Sequence, residues 1–112
     1  MESDLERALA FQIKALQLPE PETQYRAVPG RRFRWDFAWP EHKLAAEVQG
    51  GIWKRTETGR SAGHAFPARM AKDYEKNNLA VMLGWRVLYF TPKMVRGGEA
   101  VGMLERFFRE GR

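Results

Sequence analysis

Residues 31–51, RRFRWDFAWPEHKLAAEVQGG, decide the fold, because they close into a hairpin in only one sensible register. With the turn centred between Glu41 and His42, antiparallel pairing brings Trp39 to Leu44, Phe37 to Ala46 and Trp35 to Val48, all on one apolar face. The other face is polar and holds Ala38 against Ala45, Asp36 against Glu47 and Arg34 against Gln49. A slip of one residue would mix the two sets and bury charge. Side chains directly opposed in such a pair have Cβ atoms about 4.5–5.5 Å apart, and like charges at that spacing repel. Asp36 and Glu47 therefore require a cation between them. A divalent metal suits the position, since Mg²⁺ takes oxygen ligands at about 2.0–2.1 Å and usually binds through one or two carboxylates while keeping several waters.

At 112 residues the chain has the size of a single domain, residues 1–112, with room for a real core. No apolar run approaches the length that spans a membrane and no charged-then-apolar leader stands at the front, which predicts a soluble, cytoplasmic protein with no membrane partner. The absence of cysteine removes disulfides, thiolate metal sites and cysteine nucleophiles together, and zinc fingers with them. Lysine and arginine number 19 against 14 acidic residues, a net charge of +5. Arginine supplies most of it, which suits bidentate contacts to the phosphates of a polyanionic partner.

Upstream of the hairpin, Leu5, Leu9, Ile13 and Leu16 recur at helical spacing and predict an amphipathic helix from about Asp4 to Leu16, closed by Pro19 and Pro21. Ser3 and Glu6 form the S-x-x-E pattern of a capping box. Glu6 has a second reading, as an acid on the flank of the apolar stripe that lends a third carboxylate to the metal site. A short strand is expected over Gln24 to Val28, ended by the Pro29–Gly30 turn, and the hairpin strands over Phe33 to Trp39 and Leu44 to Gly50. Downstream, IWKRTETGRSAGHAFP is rich in glycine, basic and small polar residues, with at most a short strand at Ile52 to Arg55. Loops of that length in compact domains usually bind something, and Lys54, Arg55, Arg60 and His64 give this one a phosphate-facing character. His64 has no nearby histidine or cysteine, so a DNA contact or a plain surface position suits it better than metal ligation. Pro67 to Leu83 is the strongest helix, with proline in the first turn and Gly84 as its C-terminal cap, and it carries Arg69, Lys72, Asp73, Lys76 and Asn77 at steps of three and four. Trp85 to Thr91 is an apolar run expected as a buried central strand stopped by Pro92, and Glu99 to Arg109 closes the chain as an amphipathic helix.

This order of elements, αβββαβα, predicts an α/β fold with a small mixed sheet of about four strands flanked by helices. Asp36 followed on the next strand by Glu47-Val48-Gln49 resembles the signature of the PD-(D/E)XK nuclease superfamily. The run RRFRWDFAWPEHKLAAEVQGGIW, then a basic glycine-rich loop, then DYEKNNLAVMLGWRVLYFTPKMV, resembles small phage and bacterial nucleases of that superfamily, related to very-short-patch repair endonucleases and archaeal-type Holliday junction resolvases. The likeness runs from Leu5 to Val95.

That resemblance implies a restriction-endonuclease-like core and a Mg²⁺-dependent endonuclease, Mn²⁺ substituting. Its metal would be held by Asp36, Glu47, the Val48 carbonyl and Glu6. The lysine usual in the family is Gln49 here, which carries no charge and cannot act as a base near neutral pH. Gln49 would then orient the attacking water, and Lys76, or else Lys72, would supply the missing cation. Arg31, Arg32 and Arg34 on one side, with Lys54, Arg55, Arg60, His64 and Lys72 on the other, would grip DNA laid across the polar face of the hairpin. A domain this small has no separate specificity module, so the expected substrate is branched DNA, a four-way junction above all. Symmetric resolution would require a homodimer, through aromatics among Trp39, Trp53, Phe66 and Phe107. A mismatch-directed or structure-specific nicking enzyme of the repair type and a catalytically inactive DNA-binding module are the alternatives.

Overall fold

The computed structural model describes residues 3–49 and 62–110, and of residues 62–70 only the backbone. Its elements are α1 (Asp4–Ala15), β1 (Glu22–Tyr25), β2 (Trp35–Trp39), a 3₁₀ turn (Pro40–His42), β3 (Leu44–Val48), α2 (Ala62–Met82), β4 (Arg86–Phe90), α3 (Pro92–Arg96) and α4 (Glu99–Arg109). The strands form one mixed sheet in the order β1-β2-β3-β4, antiparallel except for the parallel β3–β4 pair. This is a mixed α/β arrangement with helices on both faces of a four-stranded sheet. No helix among the described residues is long and apolar enough to cross a membrane.

The hairpin register is the predicted one at Phe37↔Ala46, Ala38↔Ala45 and Trp39↔Leu44. Its turn is a 3₁₀ turn entered through Pro40 and left through Lys43, which adopts the left-handed conformation at φ 52°. Two apolar layers follow from the alternation. On one face Phe37, Trp39, Leu44, Ala46 and Phe90 pack against Leu9 and Ile13 of α1, Val95 of α3 and Leu104 of α4. On the other, Ala38 and Ala45 are fully buried with Ala80 of α2 and Trp85.

Several expectations are corrected. The face of the hairpin that looked polar is covered by α2, because two alanines at its centre let a helix approach closely. Trp35 belongs to the layer beneath α2 and not with Phe37 and Trp39. β1 starts and ends earlier than predicted. The Trp85 to Thr91 run supplies β4 at the edge of the described sheet. Helices on both of its faces ask for the same apolar content as a central position would. α2 starts five residues ahead of Pro67: proline removes one hydrogen bond inside a helix and does not forbid the turn before it. α3 was not anticipated, although Thr91 caps it through a hydroxyl that accepts from Met94 N–H at 3.2 Å, with Pro92 in its first turn. Trp39 is 3% exposed, and its Nε1 donates to the Pro19 carbonyl at 2.7 Å, so it offers nothing to a second copy. Phe107 lies half-buried against Phe108 and His42. Trp53 and the side chain of Phe66 are outside the described residues.

Ser3 caps α1 as read from sequence, its Oγ accepting from Glu6 N–H at 3.1 Å. Ser3→Ala is expected to lower stability by about 1 kcal/mol, measured by urea denaturation.

Candidate active site

The predicted acid pair lies where the sheet stops being regular. Glu47 would face Asp36 in the hairpin register, but the regular ladder ends one pair earlier, at Phe37↔Ala46. Beyond it side chains replace backbone. Asp36 Oδ2 accepts from Val48 N–H at 2.8 Å, and Asp36 N–H donates to Glu47 Oε1 at 3.3 Å. Each carboxylate thus accepts from a backbone N–H of the opposite strand where the β2–β3 ladder ends, while Trp35, still paired with Tyr25 of β1, packs in the layer beneath α2. Val48 faces β2 with its peptide groups, since its neighbour Gln49 donates its N–H the other way, to the Phe90 carbonyl at 2.9 Å. The site therefore occupies the carboxyl ends of the parallel strands β3 and β4, the usual place for ligands in α/β sheets.

Lys76 arrives from α2, one turn before the buried Ala80. Its Nζ donates to Glu47 Oε2 at 2.8 Å and to the Arg34 carbonyl, and lies 4.8 Å from the centre of the Trp35 ring. Lys76 is only 8% exposed. Its ammonium is thus spent on Glu47 and the backbone, and it faces the protein more than it faces a phosphate. The sequence placed Lys76 at the acids correctly but expected it to stabilise charge on the substrate. The geometry makes it the group that fixes and neutralises Glu47.

Burial of the Glu47 carboxyl raises its pKa from 4.5 to about 7; Lys76 pulls it down and Asp36 pushes it up, and desolvation outweighs both. Tyr89, in register beside Glu47 on β4, has its pKa raised to about 12, by burial first and then by the negative charges of Glu47 and Asp73. The acids therefore gather on one side of the sheet, with Asp73 of α2 at the rim, half-buried. Tyr89 and Asp73 are the site residues that sequence reasoning did not assign. Tyr89 was hidden in an apolar run, and its signal was register: two positions beyond Val87, it shares the face of Glu47.

Glu6 is not gathered with the pair. Its Oε1 accepts from Gln24 Nε2 at 3.3 Å, and among the described residues no group of three or more acids and histidines is placed to hold a metal ion. Asp36, Glu47 and the Val48 carbonyl do offer hard oxygens only, which matches Mg²⁺ bound through two carboxylates and water. The desolvated Glu47 is the kind of carboxylate that a cation would relieve. The Gln49 side chain is half-buried at the end of β3.

Around this strand end, Arg32 and Arg34 are exposed, Lys72 is exposed one turn from Lys76, and Arg31 pairs with Glu75 of α2 while lying 4.8 Å over the Phe33 ring. Lys54, Arg55 and Arg60 fall outside the described residues, as does the side chain of His64, whose backbone belongs to α2 and not to a loop.

No family model matches the chain. Two uncharacterized proteins of Mycobacterium tuberculosis, one from each of two strains, are each 37% identical to it over 73 residues, which is 63% of this chain and 23% of the relative. The chain thus spans less than a quarter of the length of the curated relatives it matches. No solved structure matches it.

Proposed function

We propose that this chain is a metal-dependent DNA endonuclease with a PD-(D/E)XK active site, acting on branched DNA such as a four-way junction. The observation that carries this reading is the convergence of Asp36, Glu47 and Lys76 at the open end of the β2–β3 ladder. Two acids on adjacent strands, one of them desolvated and braced by a buried lysine from the following helix, are costly to fold and give little stability in return. Such groups gather where chemistry needs them.

Asp36, Glu47 and the Val48 carbonyl would hold Mg²⁺ or Mn²⁺. When bound, such an ion lowers the pKa of its water and polarises a phosphodiester. Lys76 orients Glu47 and offsets part of the cost of burying its charge. Gln49 hydrogen-bonds water without taking its proton. Arg32, Arg34 and Lys72 frame the strand end with positive charge, and phosphate contacts of this kind position DNA without reading its sequence. Because α2 covers the middle of the hairpin, DNA would approach along the strand ends and not across the sheet.

A second reading, a DNA-binding module that does not cut, draws on Gln49 and on the engagement of both Glu47 oxygens by Lys76 and Asp36 N–H. The test is a cleavage and gel-shift panel of a four-way junction, a mismatched duplex and a plain duplex, with Mg²⁺ or Mn²⁺ and an Asp36→Asn control. Paired symmetric nicks on the junction alone support a resolvase, and nicks confined to the mismatch give a repair-type enzyme. Binding with no cleavage under either metal overturns the nuclease reading in favour of the second. Affinity is expected to fall steeply with salt, as counterion release requires.

A further inference from the structure

We propose that Tyr89 is a catalytic residue of this site, its phenolic O–H donating to a non-bridging oxygen of the scissile phosphate; the inference rests on the nuclease reading. Tyr89 stands beside Glu47 on the neighbouring parallel strand. Parallel partners present side chains to the same face. The flanking residues fix which face: Val87 packs in the layer under α2 with Ala45, while Leu88 and Phe90 pack in the opposite layer. Tyr89 and Glu47, each two positions further on, therefore emerge together at the strand ends beneath α2. There Tyr89 is half-buried.

Among the described residues, the buried groups at the strand end are already engaged with one another. Phosphodiester hydrolysis builds negative charge on the phosphoryl oxygens, and a preorganised donor aimed there is worth most in a site shielded from water. Lys76 is committed to Glu47 and to the Arg34 carbonyl and is 8% exposed. Gln49 carries no charge. A phenol ordinarily titrates near 10, so Tyr89 carries its proton at neutral pH and offers it without bringing a charge. No proton is transferred in this role: the hydroxyl shortens its hydrogen bond as the phosphoryl oxygen gains charge and relaxes as product leaves.

The test uses the full chain, Mg²⁺ and the DNA that the wild type cuts, in single-turnover and steady-state form. Tyr89→Phe keeps the ring and is expected to lower kcat on the order of 10²-fold, with KM, metal-free DNA affinity and Tm unchanged. Phosphorothioate substitution separates contact from packing, because sulfur is a poor acceptor. For one of the two diastereomers, sulfur is expected to slow the wild type by a larger factor than it slows Tyr89→Phe. Equal slowing of both proteins by both diastereomers, or a Tyr89→Phe variant with wild-type kcat, overturns the role of Tyr89. If Asp36→Asn is inactive while Tyr89→Phe is fully active, only this inference fails. A wild type that cuts no DNA overturns this inference together with the nuclease reading.

Discussion

Asp36→Asn and Glu47→Gln are each expected to lower Mg²⁺-dependent cleavage by at least about 10²-fold while leaving a folded protein that still binds DNA. The fold survives because the substitutions keep the local acceptors. An asparagine Oδ1 can take the Val48 N–H that Asp36 Oδ2 now accepts at 2.8 Å, and a glutamine Oε1 can take one of the two donors that Glu47 now satisfies, Asp36 N–H or Lys76 Nζ, so Glu47→Gln is expected to be the less stable of the two. What each removes is one unit of negative charge from a place where two carboxylates and a phosphate must share a cation. DNA affinity without metal should therefore hold or rise, since a like charge facing the phosphate has gone. Cleavage should fall, because a neutral amide oxygen binds Mg²⁺ far more weakly than a carboxylate. The measurement pairs a cleavage assay in Mg²⁺ with a gel shift in chelator. Normal cleavage by either variant would place the site elsewhere.

The hairpin could be read in advance because its pattern has period two, and a slip would have moved Asp36 and Glu47 onto the core face. Trp35 could not, because pattern assumes that a ladder continues. Here the Asp36 carboxylate takes the backbone N–H of Val48, and the regular ladder ends just where the pattern predicts its next pair. The same event makes the site. Lys76 entered only through the resemblance, as a stand-in for the family lysine that Gln49 replaces, and spacing does not reveal that its ammonium is buried against Glu47 and the Arg34 carbonyl. The third acid failed for a different reason. Glu6 lies on α1, but the capping position that fixes its backbone does not fix its side chain, which meets Gln24 of β1. Gln24 itself adopts φ 51°, a left-handed conformation inside a strand, which no strand-propensity argument anticipates.

The wild type is expected to lose on the order of 3 kcal/mol of stability as pH rises from 4.5 to about 7 through the Glu47 carboxyl alone, and Glu47→Gln is expected to abolish that loss. Below pH 4.5 the carboxyl is protonated in both folded and unfolded chains and contributes nothing to the slope. Between 4.5 and about 7 the unfolded chain releases the proton and the folded chain retains it, so each step upward in pH favours unfolding. Above that range both are ionised and the deficit stays constant. The gap of about 2.5 pH units, at about 1.4 kcal/mol each, gives the magnitude. The Glu47 side chain is 20% exposed, so solvent screens little of it. Urea denaturation of both proteins across this range reads the difference directly, and parallel curves would mean that Glu47 is not desolvated. The same linkage ties the deficit to function. A cation bound by ionised Glu47 stabilises the folded chain by mass action, so Mg²⁺ should raise the wild-type Tm above pH 7, raise it less near pH 5 where protons compete, and leave Glu47→Gln unmoved. A wild-type Tm indifferent to Mg²⁺ and Mn²⁺ at every pH would remove the metal from this site, and would leave the buried Lys76–Glu47 pair as a structural contact only.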